Sequence, residues 1–364
     1  MYQEIKVKSF RLENGFVFEE VTVGLHTFGK PNAAKSNIVW VCHGLTANSD
    51  VCEWWSGLFG EQRLFNPDQH FIVCINALGS CYGTSGPSQS ERGQFALLDR
   101  FPMVTTRDQA RLCEAVRIQF GIEQIYTLIG ASLGGQQALE WAVEMPTAFK
   151  NLVLIATNAR HSAWGIAFNE SQRLAIQQDP TYGDGQLDGG LQGLAVARTI
   201  AMLSYRSYAG YVQTQSELSD DIVQDFRAAS YQRHQGFKLA QRFDAYAYVA
   251  LSRSMDSHNL ARGRKSISEA LAQITAHTLV IGVSSDQLFP VQEQRELVQY
   301  IPVADYVQID SAFGHDGFLI ETDQLGLIIS DFLDGNYRQI RHTVFKSTVK
   351  KQHLVHRAAL QETA

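Results

Sequence analysis

Paired cysteines are missing from this sequence. Its five cysteines (Cys42, Cys52, Cys74, Cys81 and Cys113) are an odd number without C-x-x-C spacing. That pattern argues against a structural disulfide framework and against a zinc site. Cys42 and Cys74 fall inside apolar runs, where a thiol behaves as a small hydrophobe. Long hydrophobic runs are also absent: no stretch approaches the roughly 20 residues that cross a membrane. The opening Met1-Tyr2-Gln3-Glu4-Ile5-Lys6 has no apolar signal core. Positive charge is not in excess, and a formal net charge of −6 argues against a nucleic-acid surface or an anionic membrane as partner. No internal repeat or low-complexity tract appears. These absences leave a soluble, reduced, cytoplasmic protein with no nucleic-acid and no membrane partner as the expectation.

What is present is apolar substance arranged in alternating elements. The apolar fraction of 45% is ample for a buried sheet, and 364 residues suit an α/β fold carrying an insertion. Short, partly alternating runs from Phe10 to Thr27 predict antiparallel strands that open the sheet. Continuous apolar runs at Asn37–Cys42, Phe71–Ile75, Tyr126–Ile129 and Leu152–Ala156 predict strands buried on both faces. Between Thr105 and Phe120 the apolar positions Leu112, Val116 and Phe120 recur at helical spacing, and Gly121 ends that helix. From roughly Ala159 to Arg264 the period is helical, the composition is rich in Gln, Arg, Ser and Tyr, and a glycine cluster from Gly183 to Gly190 breaks the run. Strands resume at His277–Val283 and Tyr306–Ile309, and an amphipathic helix from Leu325 to Leu333 follows. The expected architecture is a mostly parallel sheet with helices on both faces. Residues 1–158 and 273–335 form its two parts, residues 159–272 an inserted helical lid, and residues 336–364 a basic tail.

The chemistry centres on Gly130-Ala131-Ser132-Leu133-Gly134, which lies between an apolar strand and a helix-forming run from Gln136 to Glu144. A strand driven through G-x-S-x-G into a helix is the nucleophile elbow of an α/β-hydrolase. The serine needs a turn tight enough to lift its Oγ above the sheet, and the flanking glycines keep neighbouring backbones from colliding. In that fold the acid and the base follow the serine in chain order, on loops after late strands. Asp286 follows the strand ending at Val283, and His315 follows the strand ending near Ile309. His315 is therefore the expected base for Ser132, with Asp286 fixing its tautomer. Two backbone N–H donors are expected to hold the oxyanion, from Leu133 after the nucleophile and from Leu45 in the loop His43-Gly44-Leu45-Thr46. His43 precedes the serine and is read as a structural histidine.

At this point a specific resemblance appears. The segments His43-Gly44-Leu45-Thr46 with Trp54-Trp55-Ser56-Gly57-Leu58, Asn76-Ala77-Leu78-Gly79-Ser80-Cys81-Tyr82-Gly83, and the elbow with Gln136-Gln137-Ala138-Leu139-Glu140-Trp141 resemble the homoserine O-acetyltransferase family. So do Tyr231 to Gly236 with Arg242-Phe243-Asp244, Met255-Asp256-Ser257-His258-Asn259, and Gly314-His315-Asp316-Gly317-Phe318-Leu319. The family usually has alanine where Gly44 stands and often methionine where Leu133 stands, changes that leave both backbone donors in place. The stretch around Gln94 to Arg100 is shorter than usual. The resemblance implies an α/β-hydrolase-fold enzyme of methionine biosynthesis that moves an acetyl group from acetyl-CoA to homoserine through an acyl-serine. It places amino-acid contacts on Arg198, Tyr205 and Asp316, with Arg206 as the rival for Arg198. It implies no metal and no bound cofactor, and a homodimer formed through the lid. The alternatives are a succinyl-CoA-dependent or serine-directed acyltransferase, an esterase or thioesterase on the same residues, and a catalytically silent scaffold that only binds.

Overall fold

Alternation along the first forty residues builds the wet edge of the sheet. In β1 (Tyr2–Arg11) Ile5 and Val7 are half-buried while Lys6 and Lys8 are exposed, and β2 (Val17–Phe28) pairs with it antiparallel, Ile5 opposite Val23 and Val7 opposite Val21. The computed structural model describes residues 1–89 and 96–336. The hairpin starts at Tyr2, earlier than the Phe10 start expected from sequence. With one face solvated and charges between its apolar residues, an edge strand carries a weak apolar signal.

The remaining strands are β3 (Ile38–Cys42), β4 (Phe71–Ile75), β5 (Ile125–Ala131), β6 (Phe149–Ile155), β7 (His277–Val283) and β8 (Ala304–Ile309). They complete an eight-stranded sheet in the order β1-β2-β4-β3-β5-β6-β7-β8, parallel from β4 through β8. All five residues of β3 are buried, and they divide by alternation. Ile38, Trp40 and Cys42 enter one core layer; Val39 and Val41 enter the layer on the opposite face. Each fully buried aliphatic side chain contributes about 1.5–3 kcal/mol relative to exposure, which is why a short continuous run suffices here.

Helices cover both faces. After the short α1 (Val51–Trp54), α2 (Thr106–Gln119) and α3 (Leu133–Glu144) put Leu112, Val116, Leu139 and Trp141 against one face. A capping box starts α2, with Thr105 accepting from the Asp108 N–H and Asp108 from the Thr105 N–H. Gly121, at φ +60°, follows its end as expected.

After β6 the chain leaves the sheet for α4 (Ala163–Gln177), α5 (Leu191–Tyr205), α6 (Tyr208–Gln215), α7 (Arg227–Ala240), α8 (Ala245–Asp256) and α9 (Ile267–Leu271). Gly183, Gly185 and Gly190 all have positive φ in the turn between α4 and α5. A third core cluster joins these helices to the sheet, with Ile176, Leu194, Ala197, Leu239 and Tyr248 packed together with Leu45, Leu133 and Phe289. After β7, α10 (Val291–Tyr300) precedes β8. Then α11 (Gly317–Ile320) and α12 (Thr322–Leu333) follow, α12 packing Leu325, Ile328 and Ile329 on the face opposite α2 and α3. Residues 337–364 of the expected tail, and Gln94 and Phe95 of the shortened stretch, lie outside the described residues.

Candidate active site

Ser132 stands between β5 and α3 with φ 57° and ψ −128°. Such backbone costs a non-glycine residue of order 1–3 kcal/mol, so its surroundings must enforce it. They do so from three sides. The Ser132 N–H donates to the Ile155 carbonyl at 3.0 Å, and the Thr157 hydroxyl donates to the Ser132 carbonyl at 3.0 Å. A Cβ on Gly130 would press into the Gly134 carbonyl, and one on Gly134 into the Cys42 carbonyl. A Cβ on Gly135 would lie 2.6 Å from the Thr157 Cβ. The glycines of the elbow are thus places where strand, turn and helix touch.

Asp286 and His315 are carried by the loops after β7 and β8, both nearly fully buried. The Asp286 Oδ1 accepts from the N–H groups of Leu288 at 2.8 Å and Phe289 at 2.9 Å, while Oδ2 meets His315 Nδ1 at 2.7 Å. A bridge through Ser285 fixes one loop on the other, its hydroxyl donating to the Ser311 carbonyl and accepting from the Gly314 N–H. Phe289 stacks on the imidazole at 5.1 Å and Phe318 meets it edge-on at 5.3 Å. With Nδ1–H committed to Asp286, the proton-accepting nitrogen of His315 is Nε2.

One cavity is lined by both Ser132 and His315, together with Leu45, Trp54, Arg198, Tyr205, Arg206, Asp316 and Phe318. Leu133 lies just below, fully buried at the first position of α3, where a backbone N–H has no partner within its own helix. A Cβ built on Gly44 meets nothing within 4 Å, so an alanine would fit there. His43 is occupied elsewhere: Nε2 accepts from the Ala77 N–H at 3.0 Å and Nδ1 donates to the Gly44 carbonyl at 2.8 Å. Burial pushes its pKa down to about 4, so it is a neutral brace for the loop.

The roof of the cavity comes from α5. Arg198 is buried, lies over the Tyr205 ring at 5.3 Å and has no ion pair with a protein carboxylate among the described residues. Burial raises the Tyr205 phenol and the Arg198 charge opposes that rise. Arg206 instead pairs with Asp316, Nε to Oδ2 at 2.8 Å. The rival for the carboxylate-binding role is therefore already engaged, and so is the aspartate expected to meet an ammonium. A Cβ on Gly314 would lie 2.8 Å from the Tyr205 carbonyl, so the loop bearing His315 seats directly on the end of α5. All five cysteines are free, and burial pushes the more open Cys52 and Cys81 up to about 11 and about 12.

A strained serine over a helix start, a buried imidazole on a carboxylate, and a guanidinium without a carboxylate partner among the described residues thus meet around one cavity. A match to the alpha/beta hydrolase fold family spans residues 37–322. Homoserine O-acetyltransferase of Cyclobacterium marinum is 45% identical over 327 residues, covering 89% of this chain and 93% of that protein. This chain belongs to the homoserine O-acetyltransferase family. Among solved structures, homoserine O-acetyltransferase from Staphylococcus aureus matches with a TM-score of 0.75 at 26% identity, covering 98% of this chain and 99% of that one. The acetyl esterase MekB matches with a TM-score of 0.81 at 23% identity, covering 92% and 97%, a likeness of fold alone. Among the described residues no group of His, Cys, Asp or Glu is arranged to hold a metal ion, and no helix is long and apolar enough to cross a membrane.

Proposed function

We propose that the protein transfers an acetyl group from acetyl-CoA to the hydroxyl of L-homoserine, with Ser132, His315 and Asp286 as its triad. The observation that carries this reading is the buried, unmatched Arg198 guanidinium in the same cavity as Ser132. A plain esterase has no use for a buried charge there, whereas an amino-acid carboxylate is its natural bidentate partner. The relative's name, homoserine O-acetyltransferase, supports the same reading.

The steps follow from the chain's own groups. His315 Nε2 takes the Ser132 proton as Oγ attacks the thioester carbonyl, and the N–H groups of Leu45 and Leu133 receive the oxyanion. Collapse expels the CoA thiolate, which leaves with the proton from His315. Homoserine then binds with its carboxylate on Arg198, its ammonium toward Asp316 and Tyr205 at its side. His315 deprotonates its hydroxyl, the alkoxide attacks the acyl-serine, and O-acetyl-L-homoserine departs as Ser132 regains its proton. The apolar lower wall, with Leu45, Trp54 and Phe318, favours a methyl over the second carboxylate of a succinyl group. Residues 159–272 serve as the lid over residues 1–158 and 273–335. Exposed Leu203, Tyr208, Val212 and Phe237 on α5, α6 and α7 make that lid the face for a homodimer. The product fits methionine biosynthesis in the cytoplasm, with no bound cofactor.

The deciding experiment measures thiol release from acetyl-CoA with and without homoserine. Release is expected to rise well above the basal rate, with O-acetylhomoserine accounting for nearly all of it. Acetate as main product, unaffected by homoserine, establishes the hydrolase instead. A second expectation separates the half-reactions. A charge-assisted hydrogen bond is worth about 1.5–3 kcal/mol, so Arg198→Ala is expected to cut homoserine-dependent turnover about ten- to a few-hundred-fold. Acetylation of Ser132 by acetyl-CoA should stay almost untouched; equal slowing of both steps in a rapid-quench mass assay would make Arg198 structural.

A further inference from the structure

We infer that Gln235 is a specificity-determining residue that donates its side-chain N–H to the carboxylate of the acceptor, beside Arg198. This deepens the homoserine reading above and rests on it. Gln235 is 6% exposed, lies on α7 and lines the same cavity as Ser132 and Arg198. Among the described residues its Nε2 has no hydrogen-bond partner. A buried amide donor without an acceptor is uncommon in folded proteins and points to an acceptor that arrives from outside.

The packing of α7 on α5 says which acceptor. One turn before Gln235, Gln232 donates to the Thr199 carbonyl at 3.1 Å. One residue after it, Gly236 lies so close to α5 that a Cβ would stand 2.5 Å from the Ala195 carbonyl. Gln232 and Gly236 thus bracket Gln235 on α7, while Thr199 and Ala195 bracket Arg198 on α5. The free amide donor and the unmatched guanidinium face one region of the cavity. A carboxylate has about four acceptor sites, of which a guanidinium fork fills two, and a further N–H from Gln235 meets a third. An ammonium has only donors and cannot satisfy Nε2.

The test uses the intact enzyme, acetyl-CoA, homoserine, and 3-amino-1-propanol, which is homoserine without its carboxylate. Gln235→Met keeps volume and removes the donor; Gln235→Glu keeps shape and sets a negative charge against the carboxylate. Gln235→Met is expected to lower kcat/KM for homoserine about ten- to a hundred-fold, mostly through KM, and Gln235→Glu further. Ser132 acetylation, which also reports correct folding, and turnover of 3-amino-1-propanol should fall far less than homoserine turnover in Gln235→Met. Equal loss on both acceptors, or no loss on homoserine while the native enzyme turns it over normally, overturns the assignment and leaves Gln235 a packing residue. Absence of homoserine-dependent turnover in the native enzyme overturns the acceptor reading itself.

Discussion

Ser132→Ala protein is expected to form no acetyl adduct with acetyl-CoA and to lose roughly 10⁴- to 10⁶-fold in kcat, the range for removing a triad serine. The substitution leaves the elbow as it was, because Cβ is retained and the contacts that enforce φ 57° are made by backbone and by Thr157. What disappears is the oxygen that takes the acyl group in the proposed mechanism. The thiols are poor substitutes, since burial holds Cys81 up at about 12 and Cys74 well above its ordinary value. A thiol in that state is almost never a thiolate at neutral pH. Rapid-quench intact-mass measurement is the check: a stoichiometric adduct in the native protein, and none in the variant. An adduct that persists in Ser132→Ala, mapped to Cys42 or Cys81, would sink the acyl-serine mechanism.

How much of this was legible in the sequence depended on what kind of signal each residue leaves. Strands buried on both faces leave continuous apolar runs, so β3, β4 and β7 were readable almost to the residue. The elbow was readable because steric need forces glycine at Gly130 and Gly134. Asp286 and His315 were readable through order and position, as loop residues after the last two strands. The edge strand β1 was not, since its alternation of Ile5 and Val7 with lysines resembles any solvated stretch. Three features have no sequence period at all. The Arg206–Asp316 pair joins α5 to the loop after β8, Phe289 stacks on His315 across two loops, and Gln235 meets the cavity through helix packing. The first and third depend on where the helices between β6 and β7 settle on the sheet, the second on how the loops after β7 and β8 meet, and no local pattern encodes either.

Asp286→Asn is the second large expectation, at about 10⁴-fold in kcat, because it disables the base without removing it. The two carboxylate oxygens have different partners. Oδ1 accepts two backbone N–H bonds, from Leu288 and Phe289, and Oδ2 takes the His315 Nδ1–H at 2.7 Å. An asparagine must keep its carbonyl oxygen toward the two N–H groups, so its NH₂ faces Nδ1. That nitrogen must then accept, the proton moves to Nε2, and the imidazole presents a donor where Ser132 needs an acceptor. Turning the amide over only sets its NH₂ against the two backbone N–H groups, a worse arrangement in a buried site. In the proposed mechanism His315 is the base in both half-reactions, so acylation and transfer should fall together, unlike in Arg198→Ala, where transfer alone is expected to fall. Asp316→Asn offers the contrast: it weakens the pair with Arg206 but leaves the His315 tautomer alone, so acylation should survive it. If Asp286→Asn keeps more than about a tenth of native acylation in a rapid-quench assay, the His315–Asp286 contact is structural and another group orients the base.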